Sequence, residues 1–159
     1  FLNMFDVSIT KHVVFKNYIA KEPVIDNRIF LNGNRLFFLE PMESSSTQAY
    51  IEMARAVFDY YLQGKVSSVH VKEDMTKYIK QLQNFMIWHY QSGSKYDTPF
   101  WSYAKSLTFE DETFDKFLEY SKISDCISIS YGGTTQNKLY GQWPAYSFKN
   151  WNEGINLNT

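Results

Sequence analysis

The sequence predicts an α+β protein, mainly helical after residue 41, with a few short strands near the N-terminus. Three observations predict it. β-branched and aromatic residues crowd positions 1–39, Pro41 then breaks the pattern, and two long stripes of apolar residues at helical spacing follow. At 159 residues the chain is one domain or a piece of a larger one, long enough to bury a core.

The elements follow in chain order. Val13-Val14-Phe15 and Val24-Ile25 read as short strands. Asn32-Gly33, set between Arg28-Ile29-Phe30-Leu31 and Arg35-Leu36-Phe37-Phe38-Leu39, is a type I′ hairpin signal, because both central residues of that turn need positive φ. Pro41 fixes its own φ and pushes Glu40 toward extended geometry, while Ser44 to Thr47 supply hydroxyls suited to N-capping. Tyr50, Met53, Ala54, Val57, Phe58 and Tyr61 then form a helical stripe that ends near Gly64. Met75, Tyr78, Ile79, Leu82, Phe85, Met86 and His89 form a second, from about Val71 to just before Gly93. Asp97-Thr98-Pro99 reads as a cap and first-turn proline for a short helix through Lys105. Thr108, followed by Asp111, opens another with Phe114, Phe117 and Leu118 inside. Ile127, Ile129 and Tyr131 alternate like a strand, and the remainder is aromatic and loop-like.

Composition narrows the function. Lys and Arg number 16 against 17 Asp and Glu, with no basic block, so no nucleic-acid partner is expected. No apolar run is long enough to span a bilayer, so no membrane role is expected either. Cys126 stands alone, which excludes an internal disulfide and fits a reducing, cytoplasmic compartment. Phe1 opens the chain without a signal-peptide pattern and Met4 is a poor natural start, so a cut end is expected. The 18% aromatic content exceeds what packing alone would demand, and surplus Tyr and Trp often line surfaces that meet flat ligands.

Most catalytic fingerprints are missing. The histidines, His12, His70 and His89, have no zinc spacing, and the chain lacks GxGxxG, GxxxxGK[ST] and GxSxG. His89 closes an apolar helical face, where a satisfied, half-buried histidine is the simpler reading. Glu43 and the serine N–H groups remain, placed at a positive helix end that suits anions; the same residues also make an ordinary capped helix.

Two separated motifs carry a resemblance. Phe38-Leu39-Glu40-Pro41-Met42-Glu43-Ser44-Ser45 resembles the F-[VL]-E-P-L-E-S-T segment of the flavin-dependent tryptophan halogenases. His89-Tyr90, followed by Asp97-Thr98-Pro99-Phe100-Trp101, resembles that family's Tyr/His-Tyr and D-T-x-F-W segment at the same spacing. Asn27 to Gly33 also looks like the strand and glycine that precede the first motif, and Asn150-Trp151 and Gly154 are loosely similar to a late tryptophan and glycine.

The resemblance implies the C-terminal part of a flavin-dependent halogenase, a monooxygenase-like oxidoreductase fold acting on an indole or other aromatic substrate. Residues 1–40 would be a strand-rich segment from the edge of a flavin-binding domain, and 41–159 a mainly helical substrate-side subdomain. By motif, Glu43 corresponds to the catalytic glutamate and Ser44 to the adjacent active-site serine. Ser45 and Ser46 correspond to the positions whose backbone N–H groups hold halide. His89, Tyr90, Tyr96, Phe100 and Trp101 fall in the substrate-binding set.

This sequence departs from the family in several places. Ser46 replaces a usual glycine, and Tyr96 stands where tryptophan-specific members carry a glutamate, which argues against free tryptophan as the substrate. Asn34-Arg35-Leu36-Phe37 replaces small residues and is expected to crowd a flavin. The dinucleotide-binding glycines, the catalytic lysine and the W-x-W-x-I-P segment are not in this sequence. FAD is therefore expected in the complete enzyme, with none bound by this chain alone and no activity from it alone. Two alternatives stay open: a standalone aromatic-lined binding module, or an interaction domain that docks a flavin-binding half or self-associates.

Overall fold

A computed structural model describes residues 11, 14, 16–39, 45–92, 96–108, 111–123 and 139–156. Near the N-terminus two strands run out, β1 (Tyr18–Ile19) and β2 (Val24–Ile25), and two return, β3 (Ile29–Phe30) and β4 (Phe37–Phe38). β2 pairs antiparallel with β3 and β1 with β4, so the four pieces form one irregular ribbon. Bonds from Ala20 N to Leu36 O (2.8 Å) and Leu31 N to Pro23 O (2.9 Å) continue it between the pairs. The outgoing side covers residues 20–23 where the returning side covers 31–36, and a 3-10 turn at Gly33–Arg35 takes up the surplus.

This ribbon corrects the predicted hairpin. The chain reverses at Asp26-Asn27, with φ of 50° and 55°, inside a turn closed by Arg28 N to Ile25 O at 3.1 Å. Asp and Asn are the non-glycine residues that visit this left-handed region most readily, so the pair serves as Asn-Gly would. Asn32 instead turns its side chain back to accept from Gly33 N at 2.8 Å, capping the 3-10 turn. Val14 is exposed and outside any strand, while Val13 and Phe15 lie outside the described residues. The expected crowding by Leu36 and Phe37 is also corrected, because both are fully buried in the core.

α1 (Ser45–Arg55) passes directly into a π-helical stretch, Ala56–Tyr61, marked by the five-residue bonds Leu62 N to Val57 O and Lys65 N to Tyr60 O, both 2.9 Å. The wider turn delays the inner face by a residue. Ala49 and Met53 are buried, Val57 and Tyr61 pack beside them, and Phe58, predicted inside, is 63% exposed. Gly64, with φ of 67°, ends the element as its position predicts.

α2 (Ser68–Ser92) is the long central helix and buries Val71, Met75, Ile79, Leu82, Phe85 and Met86, the predicted stripe. α3 (Pro99–Ser106) starts as predicted, with Thr98 as cap and Pro99 in its first turn. α4 (Glu112–Ile123) is capped by Asp111, not Thr108: its Oδ1 accepts from Thr113 N (2.9 Å) and Phe114 N (3.2 Å). A carboxylate directly before the first turn satisfies two orphan donors and meets the positive helix end.

The C-terminal region is the second large correction. β5 (Leu139–Tyr140) and β6 (Trp143–Pro144) pair across Gly141, which has φ of 59°, and lead into α5 (Ala145–Asn156). Ala145 and Phe148 fall three apart on its buried face with Trp151 packed beside the core, a helical spacing obscured by the aromatic content. Ile127, Ile129 and Tyr131 lie outside the described residues.

The core explains much of the aromatic surplus. Phe85 stacks on Trp143 with centroids 3.6 Å apart, Trp88 stacks on Phe148 at 5.0 Å, and Phe114, Phe117 and Tyr140 close around Phe148. One polar network enters it. Tyr140 OH donates to Asp111 Oδ2 (2.6 Å), and Asn84 Nδ2 reaches both Asp111 Oδ2 (2.8 Å) and Tyr140 OH (2.9 Å), joining α2, the α4 cap and β5.

Candidate functional site

The first half of the predicted site is the start of α1. Glu43 and Ser44 lie outside the described residues. Ser45 is the first helical residue and has 0% exposure, and its hydroxyl has no hydrogen-bond partner among the described residues. A buried orphan hydroxyl costs free energy unless something hydrogen-bonds it, and a helix start favours an anion in that role. The Ser46 side chain hydrogen-bonds Tyr50, one turn on. Burial holds the Tyr50 phenol above its ordinary pKa, and the Ser46 bond partly offsets that rise.

The second half comes from α2 and α3, and its residues separate into two groups. Tyr90 is half-buried near the end of α2, with its ring 6.0 Å from Phe100 and 6.0 Å from Trp101. Phe100 and Trp101 meet edge to face at 5.0 Å. Phe100 is 56% exposed and Trp101 half-buried, so this trio leaves ring surface open to solvent. Tyr96 is exposed just before α3.

His89 faces elsewhere. Neighbours on a helix diverge by about 100°, so the residue beside Tyr90 turns into the core. It is 6% exposed, its ring lies 4.1 Å from both Phe85 and Trp151, and Nδ1 sits 2.9 Å from Phe85 O. A carbonyl only accepts, so the proton is on Nδ1. The ordinary reading of His89, a satisfied buried histidine, describes this geometry.

Sequence reasoning missed three polar features. Trp151 Nε1 and Asn152 Nδ2 are buried without a partner among the described residues, on a segment read as loop. Asn32, Asn34 and Tyr50 tie the ribbon to α1; an asparagine on either side of Gly33 was the available signal. Asn84, Asp111 and Tyr140 come together from distant positions with no sequence signal at all. At Asp111, burial alone would raise the carboxyl pKa. Hydrogen bonds from Tyr140, from the backbone of Phe114 and Thr113, and from Asn84 outweigh it and hold the pKa below its usual value. Burial and then the nearby Glu52 carboxylate push Tyr78 up to about 12, and its hydroxyl donates to Gln142 Oε1 at 3.1 Å.

The described residues do not fit a flavin dinucleotide. Its pyrophosphate needs glycines where a strand runs into a helix, and the passage from β4 to α1 carries none. A Cβ placed on Gly33 would meet open space, so that glycine is not held free for a close approach. Among the described residues no cluster of three or more His, Cys, Asp or Glu is placed to hold a metal, and no helix is long and apolar enough to cross a membrane.

Fold and site together define a class: a mostly helical α+β domain that gathers an open aromatic trio and has an orphan hydroxyl at a helix start. The chain belongs to the tryptophan halogenase family, whose sequence model matches residues 17–152. That family is flavin-dependent in general. No curated protein and no solved structure matches the chain.

Proposed function

We propose that this chain supplies the substrate side of a flavin-dependent halogenase-like oxidoreductase acting on an indole or a related flat aromatic. The supporting observation is the trio Tyr90, Phe100 and Trp101, brought from two helices into one cluster with ring surface exposed. Rigid rings of this kind bind a planar substrate by stacking at small entropic cost. Tyr96 borders the trio without a carboxylate for an ammonium group, which favours a substrate other than free tryptophan.

In this reading the N–H groups of Ser45 and Ser46 hold halide at the positive end of α1, helped by the orphan Ser45 hydroxyl. Glu43 stands beside the reacting ring carbon and takes the ring proton, and Ser44 flanks it. The oxidising chemistry belongs to a flavin held by residues outside these 159, so the chain alone does not turn over.

Titration of the chain with indole, followed by intrinsic fluorescence, tests the proposal. Saturable quenching that is lost in Trp101→Ala and kept in His89→Gln is expected; no saturable response up to the solubility of indole overturns it. A second reading rests on a different surface. Ile51, Phe58 and Leu62 are exposed along α1 and the π turn, and an apolar row of this kind suits docking to a partner or to a second copy. Light scattering of Phe58→Ser against the unaltered chain tests that reading.

A further inference from the structure

Tyr50 is where the ribbon and α1 are locked together. Its hydroxyl lies 3.1 Å from Phe37 O and 3.1 Å from Asn34 Oδ1, both acceptors, while the same oxygen is hydrogen-bonded by the Ser46 side chain. The ring packs on Phe37 at 5.4 Å. From the other side, Asn32 Nδ2 donates to the Tyr50 carbonyl at 3.2 Å, while its Oδ1 caps the 3-10 turn. Phe37 belongs to the last strand before the chain leaves for α1, and Ser46 is in the first turn of that helix. The bonds therefore join the two structured ends that flank residues 39–44.

We infer that Tyr50 is the positioning residue for the amino end of α1: by holding Ser46 against the returning strand, its phenol fixes the direction in which the first-turn N–H groups point. The inference rests on the halide role proposed for Ser45 and Ser46. The physical need is specific. Early N–H groups of a helix have no partner within it, and they converge on an anion only while the first turn stays wound and oriented. A tyrosine one turn further in supplies that control without occupying the anion position. It does so with a shared donor and a filled acceptor, so none of its hydrogen-bonding capacity is left idle.

The test is amide hydrogen exchange on the full 159-residue chain with Tyr50→Phe, which keeps the ring and removes the hydroxyl. Amides 49–51, which bond back to the first turn, are expected to exchange about ten-fold faster, the effect of losing about one hydrogen bond, while amides 79–85 of α2 keep their rates. Unchanged exchange at 49–51 overturns the inference, and so does equal acceleration through α2, which would mark a merely structural role. Ser46→Ala breaks the same tie without touching the packed ring and should reproduce the local effect if Tyr50→Phe fails to fold. Bromide titration separates this inference from the reading beneath it. Weaker bromide binding in Tyr50→Phe supports both, whereas an unaltered chain that binds no bromide defeats the halide role and leaves exchange to decide Tyr50.

Discussion

Tyr140→Phe isolates one hydrogen bond in an otherwise apolar core. The substitution keeps the ring against Phe114 (4.9 Å between centroids) and Phe117 (5.7 Å) and removes the hydroxyl that donates to Asp111 Oδ2 at 2.6 Å. Asn84 retains its own bond to the carboxylate, so no charge is left bare. A bond to a charged acceptor contributes about 1.5–3 kcal/mol net, and the easier burial of Phe returns part of it, which leaves a loss of about 2 kcal/mol. With a urea m-value of about 2 kcal/mol/M, the unfolding midpoint falls by about 1 M at pH 7 with an unchanged slope.

The loss should depend on pH in a defined direction. The hydrogen bonds at Asp111 depress its folded-state pKa, so the carboxylate's contribution is complete above the unfolded value of about 4 and is lost as pH falls through the lower folded value. The gap between the two proteins is therefore full at neutral pH and narrows in acid. A midpoint within about 0.2 M of the parent at pH 7 is far below the expected bond contribution and would refute the argument.

Three further outcomes are expected. Asn27→Val places a β-branched residue at φ of 55° and should cost about 1–2 kcal/mol by thermal unfolding, while Asn27→Gly is tolerated. In an enzyme supplied with its flavin-binding part, Glu43→Gln should lower kcat strongly with indole affinity nearly intact; equal loss of both would reduce Glu43 to a helix cap. FAD fluorescence should be unquenched by this chain at micromolar concentration, because no glycine-rich strand-to-helix passage is present; saturable quenching would reveal a cofactor site.

Helices with one uninterrupted apolar period were legible in the sequence. The stripe from Met75 to His89 gave α2 its inner face, and Thr98-Pro99 gave α3 its start. What sequence left hidden involved competition between local signals. Asn32-Gly33 and Asp26-Asn27 both suit a reversal, and the choice depends on which register lets Leu36 and Phe37 reach the core. The C-terminal helix was concealed because its aromatic residues serve equally as packing or as ligand contacts until their neighbours are known. At the candidate site, the motif placed Tyr90, Phe100 and Trp101 together correctly in space. It could not show that His89, one residue away, turns inward onto Phe85 and Trp151.

The π turn at 56–61 acts as a phase shifter on everything that follows it. One extra residue in a helical turn rotates the downstream chain by about 100°, so the direction in which the chain leaves toward α2 is set there, not by the connecting loop. Deleting a single residue from the turn would bring Phe58 back toward the core and misdirect the longest helix in the molecule. An insertion of one residue in this stretch is thus an architectural choice, and a relative without it would need a different loop to place α2 in the same position.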